Sequence, residues 1–328
     1  MELVLASAGS YPRIGDVPEL QGHRRAYAQR ERGELGEEAF RKVEDEVTAE
    51  VIREQLEAGV ELPTDGQVRW YDPYSHVARG LEGIEVNGLL RLFDTNFYFR
   101  QPVVKGPIRR RDPMLLGEYE LARRVSPRPV KPVLTGPYTL ARGSILEGGY
   151  RTLSALVSAY AEVLAEEVKD LAAAGASVIQ VDEPAILRHP EDAPLLRDAL
   201  AHMARVKDGA RLVLHLYFGD CAPLYLFFQA SPVDVLSLDF SYSPTLPRLI
   251  AEAGSSKLLG LGLIDGRNTR LETPETVFPV LDQVLPKLPS GAGYLSPSCG
   301  LEFLPRERAR AKLETMRRLR DAYLGGHT

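Results

Sequence analysis

The sequence predicts an α/β fold, a (β/α)8 TIM barrel with an inserted β-hairpin after the second strand unit. Three observations carry that prediction. Eight apolar runs occur along the chain, each followed by sequence of helical character. The later units recur regularly: their strand-terminal residues Asp182, His215, Asp239, Asp265 and Cys299 are separated by 33, 24, 26 and 34 residues. The runs are almost continuously apolar, the mark of parallel strands buried on both faces. Eight such units close into a barrel. The rival is a doubly wound open sheet, but the chain has no Gly-x-Gly-x-x-Gly after its first strand and more units than that fold uses. No low-complexity linker divides the chain, so residues 1–328 are read as one domain with a β insertion at about 84–111.

Taken in order, Leu3 to Ala8 reads as a strand that stops at Gly9-Ser10-Tyr11-Pro12. Glu37 to Leu56 carries Val43, Val47, Val51 and Ile52 at helical spacing, and Gly59 ends that helix. Val60 to Asp65 is the second strand. Residues Ile84 to Arg111 alternate, are rich in aromatic and β-branched residues, and contain Asn87-Gly88, a hairpin signal. After a helix near Leu115 to Arg124, strands are expected at Val130–Gly136, Ser177–Asp182, Arg211–His215, Val233–Asp239, Lys257–Asp265 and Gly293–Cys299. Helices fall between them, the longest from Leu153 to Ala174, and a final amphipathic helix runs from Arg306 to Tyr323.

Composition excludes several classes of function. A net charge of −5 gives no support for a nucleic-acid partner. No apolar segment approaches the roughly 18–20 residues of a membrane span. Two cysteines in 328 residues point to a reducing compartment, and the N-terminus lacks a basic segment and a signal-length apolar run, so a cytoplasmic protein is expected.

A barrel of this kind carries its site at the C-terminal ends of its strands. Here that rim reads Ser10, Asp65, Thr135, Asp182, His215, Asp239, Asp265 and Cys299. Imidazole, thiolate and carboxylate are the usual Zn²⁺ donors, and a catalytic zinc needs three protein ligands and one open position. His215, Asp239 and Cys299, from strands five, six and eight, form the expected set, with Cys221 as a candidate fourth donor. Each has a plainer reading: a hydrogen-bonded core His, a small buried Cys, an Asp that caps the segment after it. The metal reading rests on their joint occurrence. Arg267 and Asn268 follow the seventh strand, where an Arg can grip a carboxylate. The aromatic stretch Phe93 to Phe99 is read as packing of the hairpin, and His76 as helix-cap chemistry.

Ser7-Ala-Gly-Ser-Tyr-Pro-Arg13, Leu134-Thr-Gly-Pro137, Ile179-Gln-Val-Asp-Glu-Pro-Ala185, His215, Asp234 to Asp239 and Ser296-Pro-Ser-Cys-Gly-Leu301 together resemble the cobalamin-independent methionine synthase family, in the family's order and over nearly the whole chain. The resemblance is to a short, single-barrel form. It implies a zinc-dependent methyltransferase that converts homocysteine to methionine, with methyl-tetrahydrofolate or a methylcorrinoid (methylcobalamin, also on a partner corrinoid protein) as donor. It implies that His215, Asp239 and Cys299 hold Zn²⁺, that Asp182 holds the substrate amino group, and that Gly9 and Ser10 hold its carboxylate. Asp65 and Gln67 fall at a substrate-binding segment, and Arg267 falls where the family has a catalytic His. Where the family reads His-x-Cys, this chain reads His215-Leu216-Tyr217, which leaves Cys221, Tyr217 or water for the fourth zinc position. A metal-free enzyme of the uroporphyrinogen decarboxylase type and a non-catalytic binding barrel are the alternatives.

Overall fold

The structure, a computed structural model, describes residues 2–326. In chain order its elements begin with β1 (Glu2–Leu5), α1 (Gly22–Glu31), α2 (Glu37–Glu57), α3 (Ser75–Arg79), β2 (Leu81–Arg91), β3 (Tyr98–Arg110) and α4 (Leu116–Val125). The regular part follows: β4 (Val133–Thr135), α5 (Pro137–Gly143), β5 (Ile145–Leu146), α6 (Leu153–Ala173), β6 (Val178–Asp182), α7 (Ala193–Ala204) and β7 (Arg211–Leu216). The last elements are α8 (Ala222–Gln229), β8 (Val235–Asp239), α9 (Leu246–Ala253), β9 (Leu258–Ile264), α10 (Pro274–Val284), β10 (Ala292–Pro297) and α11 (Arg306–Gly325).

Seven strands form a parallel sheet in the order β1-β10-β9-β8-β7-β6-β4. Its two edge strands do not face open space. The N–H groups of Glu61 and Leu62 donate to the Leu5 carbonyl at 2.8 and 3.0 Å, that of Ser7 donates to Leu62 at 3.1 Å, and that of Lys131, just ahead of β4, donates to Pro63 at 2.9 Å. The expected second strand is thus an extended segment with a single bridge, Ala6 to Leu62. Pro63 has no N–H to extend the ladder.

Side-chain alternation along the strands separates two environments. Ile179, Val181, Leu212, Leu214, Leu236 and Leu238 pack outward into the main core shared with the helices. Val178, Val213 and Val235 point to the inner face, where they meet Ala6 and Leu62 in a second, smaller cluster. Above that layer the same inner face carries Lys131, Ser237 and Ser296, and the strands then end in the polar rim.

β2 and β3 pair antiparallel, and β5 adds to β3. The reversal lies at Leu92–Phe97, where Leu92 N–H donates to Phe97 at 2.8 Å and Thr95 N–H to Leu92 at 3.1 Å. Asn87-Gly88 is not the turn: it sits within β2 at a register shift, with Gly88 at φ 65°, so the signal marks a bulge. α1 has no counterpart in the sequence reading because only His23 and Ala26 on it are buried, too few for an apolar period. No helix among the described residues is long and apolar enough to cross a membrane.

Candidate active site

A cleft opens where β1, β6 and β7 end. It encloses about 630 Å³ of empty space, part of it open solvent, and its walls include Ser10, Gln67, Asp182, Tyr217, Gly300 and Glu302. Aromatic rings close its upper part. Tyr217 and Phe218 meet edge to face at 4.6 Å between centroids, and Phe218 contacts both Phe93 and Phe303 at 5.6 Å. Phe93 belongs to the β2–β3 turn, so the inserted strands supply part of the roof. Phe93 and Phe218 both adopt left-handed backbone conformations, φ 47° and 67°, which non-glycine residues hold only under tertiary constraint.

The polar floor lies on the β6 side. Asp182 Oδ1 accepts from Gln180 Nε2 at 2.7 Å, and Oδ2 accepts from the Tyr217 hydroxyl at a long 3.4 Å. Burial pushes the Asp182 carboxyl up to about 7, against the pull of Gln180, Lys131 and Tyr217. Glu302 is also raised by burial, with Arg13 and a hydrogen bond from Ser10 acting the other way. A Cβ on Gly300 would collide with the Ser10 hydroxyl, so glycine is what lets the loop after β10 close over the loop after β1. Two carboxylates under-supplied with cations, beside a serine hydroxyl, suit a ligand that brings an ammonium group.

The side toward β8 and β10 is built differently. His215 is buried, its Nδ1 lies 3.3 Å from the Ser237 carbonyl, and its Nε2 is an orphan. Burial and Lys131 lower it to about 3, so the ring is neutral. Asp239 accepts Phe218 N–H on one oxygen at 3.2 Å and Ser241 N–H on the other at 2.8 Å. Cys221 sits in the main apolar core, its thiol aimed at the Leu216 carbonyl at 3.6 Å, and burial pushes it up to about 12. Cys299 is fully buried with its thiol 3.4 Å from the Gly300 carbonyl, and burial raises it well above the usual thiol range. Among the described residues no three His, Cys, Asp or Glu side chains group in a way that could hold a metal ion. The orphaned imidazole nitrogen is a free donor, but each Asp239 oxygen is already engaged by a backbone N–H and Cys221 points into the core. The residues as arranged do not fit the zinc centre expected from the rim.

Several other expected site residues lie elsewhere. Asp65 accepts Gln67 N–H at 3.1 Å and lines not the cleft but an adjoining cavity with Glu118 and Leu115, which shares Trp70 with it. Arg267 is outside the cleft wall: it bonds the Tyr242 hydroxyl and the Asp94 carbonyl and lies over the Phe218 ring at 5.0 Å, so it clamps the β2–β3 turn to the mouth. Asp265 accepts Arg267 N–H at 2.8 Å as a turn cap. Asp72 holds the turn that leads into α3 by accepting the N–H groups of Tyr74 and Ser75, whereas His76 stacks on Trp70 at 4.7 Å and approaches Glu118 at 3.1 Å. Gly9, Ser10, Gln67 and Asp182 do come together in the cleft. Glu302 and Phe303 escaped the sequence reading because they follow the last strand end by three and four residues. The signal available was their position on a rim loop, where barrels place functional side chains.

Comparison with known proteins places this architecture. The family described as "Cobalamin-independent synthase, Catalytic domain" matches residues 5–321. The chain is 32% identical over 307 residues to a methionine synthase of Saccharolobus solfataricus, covering 92% of this chain and 91% of that protein. It is 30% identical over 307 residues to a methionine synthase of Pyrococcus abyssi, covering 92% and 89%. Among solved structures, a B12-independent methionine synthase from Shewanella sp. W3-18-1 in complex with selenomethionine superposes with a TM-score of 0.81 at 21% identity, covering 99% of both chains. A methyltransferase from Methanosarcina mazei superposes at 0.67 with 15% identity over 97% and 94%; these two likenesses speak to the fold.

Proposed function

The chain belongs to the cobalamin-independent methionine synthase family, and on that premise we propose that it transfers a methyl group to the sulfur of homocysteine, giving methionine. The observation that carries the proposal is the pair of half-buried carboxylates, Asp182 and Glu302, facing one cleft beside Ser10. In this reading they receive the substrate ammonium, and Gly9 and Ser10 receive its carboxylate. The sulfur end then lies against Tyr217, Phe218 and Phe303. The fold is read as a closed (β/α)8 barrel in which segment 60–63 serves as the missing stave, with residues 81–110 as an insertion in a single domain.

In the transfer, a sulfur lone pair forms the new carbon–sulfur bond as the bond from the methyl group to the donor breaks. The departing donor keeps the bonding pair, and the thiol proton ends on the donor nitrogen that the methyl group leaves, in the case of a folate, or in water, in the case of a corrinoid. The protein's contribution is to hold the two reactants in line and exclude water. Zinc, where bound in such a site, would supply thiolate at neutral pH, but the donor set described above assigns that role to no residue here.

Of the two donor classes, methyl-tetrahydrofolate fits the surroundings better. The cleft shares Trp70 and Tyr71 with a wider groove of about 1480 Å³, open to solvent, that includes Arg13, Arg24, Arg79 and Arg100. Arg79 and Arg100 both lie over the Tyr71 ring, at 6.0 and 5.4 Å. Guanidinium groups and flat rings side by side suit a donor with a planar ring and an anionic tail. The test is a turnover assay with homocysteine, offering methyl-tetrahydrofolate and methylcobalamin separately. Methionine is expected with the folate. Binding of homocysteine without turnover on either donor would favour a binding barrel, and no binding at all would end the proposal.

A further inference from the structure

The amine end of the cleft is organised from below. We propose that Lys131 is a positioning residue: acting through Gln180, it fixes which oxygen of Asp182 is held by the protein and which is offered to a ligand ammonium. The inference rests on the amino-acid reading above.

Lys131 stands just ahead of β4 and is 4% exposed, and Gln180 is fully buried in β6. The lysine ammonium donates to the Ser7 carbonyl at 2.7 Å and to Gln180 Oε1. An ammonium has donors only, so the oxygen end of the Gln180 amide must face it. The nitrogen end then has no choice of direction. It donates to the Ala8 carbonyl and, at 2.7 Å, to Asp182 Oδ1. The Ala8 carbonyl, an acceptor only, demands the same amide orientation independently. Asp182 Oδ1 is therefore held as an acceptor, and Oδ2, whose hydrogen bond among the described residues is the long one from the Tyr217 hydroxyl, is the oxygen left to a ligand in the cleft that Asp182 lines. Without Lys131 the Gln180 oxygen loses its cationic donor, and only the Ala8 carbonyl and Asp182 itself are left to hold the amide in this orientation. A reversed amide would set oxygen against Asp182.

The lysine also explains its own burial. Its charge is compensated by a carbonyl, an amide oxygen and the nearby Asp182, and burial lowers it to about 8. A hydrophobic side chain would fill this space with less desolvation. Its presence is accounted for by the orientation it imposes.

The test is calorimetric titration of the full chain with L-methionine and with 4-(methylthio)butanoate, which is methionine without its amino group. The wild-type chain is expected to prefer methionine. Lys131→Met should weaken methionine by about tenfold or more, a difference of roughly 1.4 kcal/mol, and leave the desamino compound within about twofold. Gln180→Leu should reproduce this amine-selective loss and carries the test if Lys131→Met does not fold. Equal losses for both compounds would reveal a general structural role and overturn the inference. Wild-type selectivity retained in both variants would overturn it alone, whereas a wild-type chain without any preference for methionine would overturn the amino-acid reading and this inference together.

Discussion

On the β6 side of the mouth, Asp182 and Glu302 keep carboxylate groups at the wall of the cleft, and the network beneath them ends there. On the β8 side, Asp239 has both oxygens engaged by the backbone N–H groups of Phe218 and Ser241. All three are acids at or just past strand ends and burial raises all three, with Asp239 fully buried and Asp182 and Glu302 half-buried. What separates them is the next few residues of chain. After β8 the backbone curls so that the Ser241 N–H reaches back to the carboxylate, and the loop after β7 brings the Phe218 N–H to its other oxygen. After β6 the chain moves away, and Glu183 rather than Asp182 takes the backbone bonds, at Tyr138 and Thr139. A strand-end acid is available to a ligand only where the following loop does not use it as a cap.

The comparison breaks most decisively at Asp182. Asp182→Ala removes the group proposed to face the ammonium and leaves Gln180 Nε2 without that acceptor. Loss of one partner in a buried charge pair costs about 2–5 kcal/mol, so L-methionine affinity should fall by roughly 30-fold or more, measured by calorimetry at neutral pH. An affinity within a few-fold of wild type would mean that the β6 side is no more a ligand site than the β8 side. Glu302→Gln is a milder probe of the same half. It keeps shape and replaces a charge-assisted hydrogen bond with a neutral one, an effect of about 1–1.5 kcal/mol. The expected result is a roughly tenfold weaker binding of methionine, with the desamino analogue spared. No change would place Glu302 as a partner of Ser10 and nothing more.

How much of this was legible depends on range. The parallel units were visible because buried strands and their helices write their periods locally; α2, α6 and β6 lie within a residue or two of where periodicity puts them. The second strand was overread because Val60 and Leu62 are apolar and β-compatible on either side of Glu61, and Pro63 limits pairing from inside the segment. Asn87-Gly88 has the backbone freedom of a turn, yet a bulge uses the same freedom. At the site, residue type and strand position pointed to a rim of donors. They did not show that Cys221 turns into the core, that Asp65 looks into another cavity, or that Arg267 reaches Asp94, 173 positions away. Those outcomes depend on which loop lies above each side chain. Tyr217 illustrates the point: it stacks on His215 at 4.8 Å and turns its hydroxyl to Asp182, joining the two halves through a contact that no local pattern announces.

The smallest expected effect on ligand binding comes from Asp239→Asn, and it tests the other half of the comparison. The amide retains one oxygen for either Phe218 or Ser241 and sets an NH₂ group against the remaining backbone N–H. One buried donor then loses its acceptor, which costs about 1–3 kcal/mol. Urea denaturation should show that loss of stability, with methionine affinity unchanged to within about twofold, a difference of roughly 0.4 kcal/mol. A metal ligand would behave in the opposite way: its replacement would lower the zinc content of the purified chain, and with it sulfur binding, while relieving the cost of a buried charge. If Asp239→Asn leaves stability intact and removes stoichiometric zinc, the carboxylate that here holds two turns of backbone is a ligand after all, and the mouth has one chemistry on both sides instead of two.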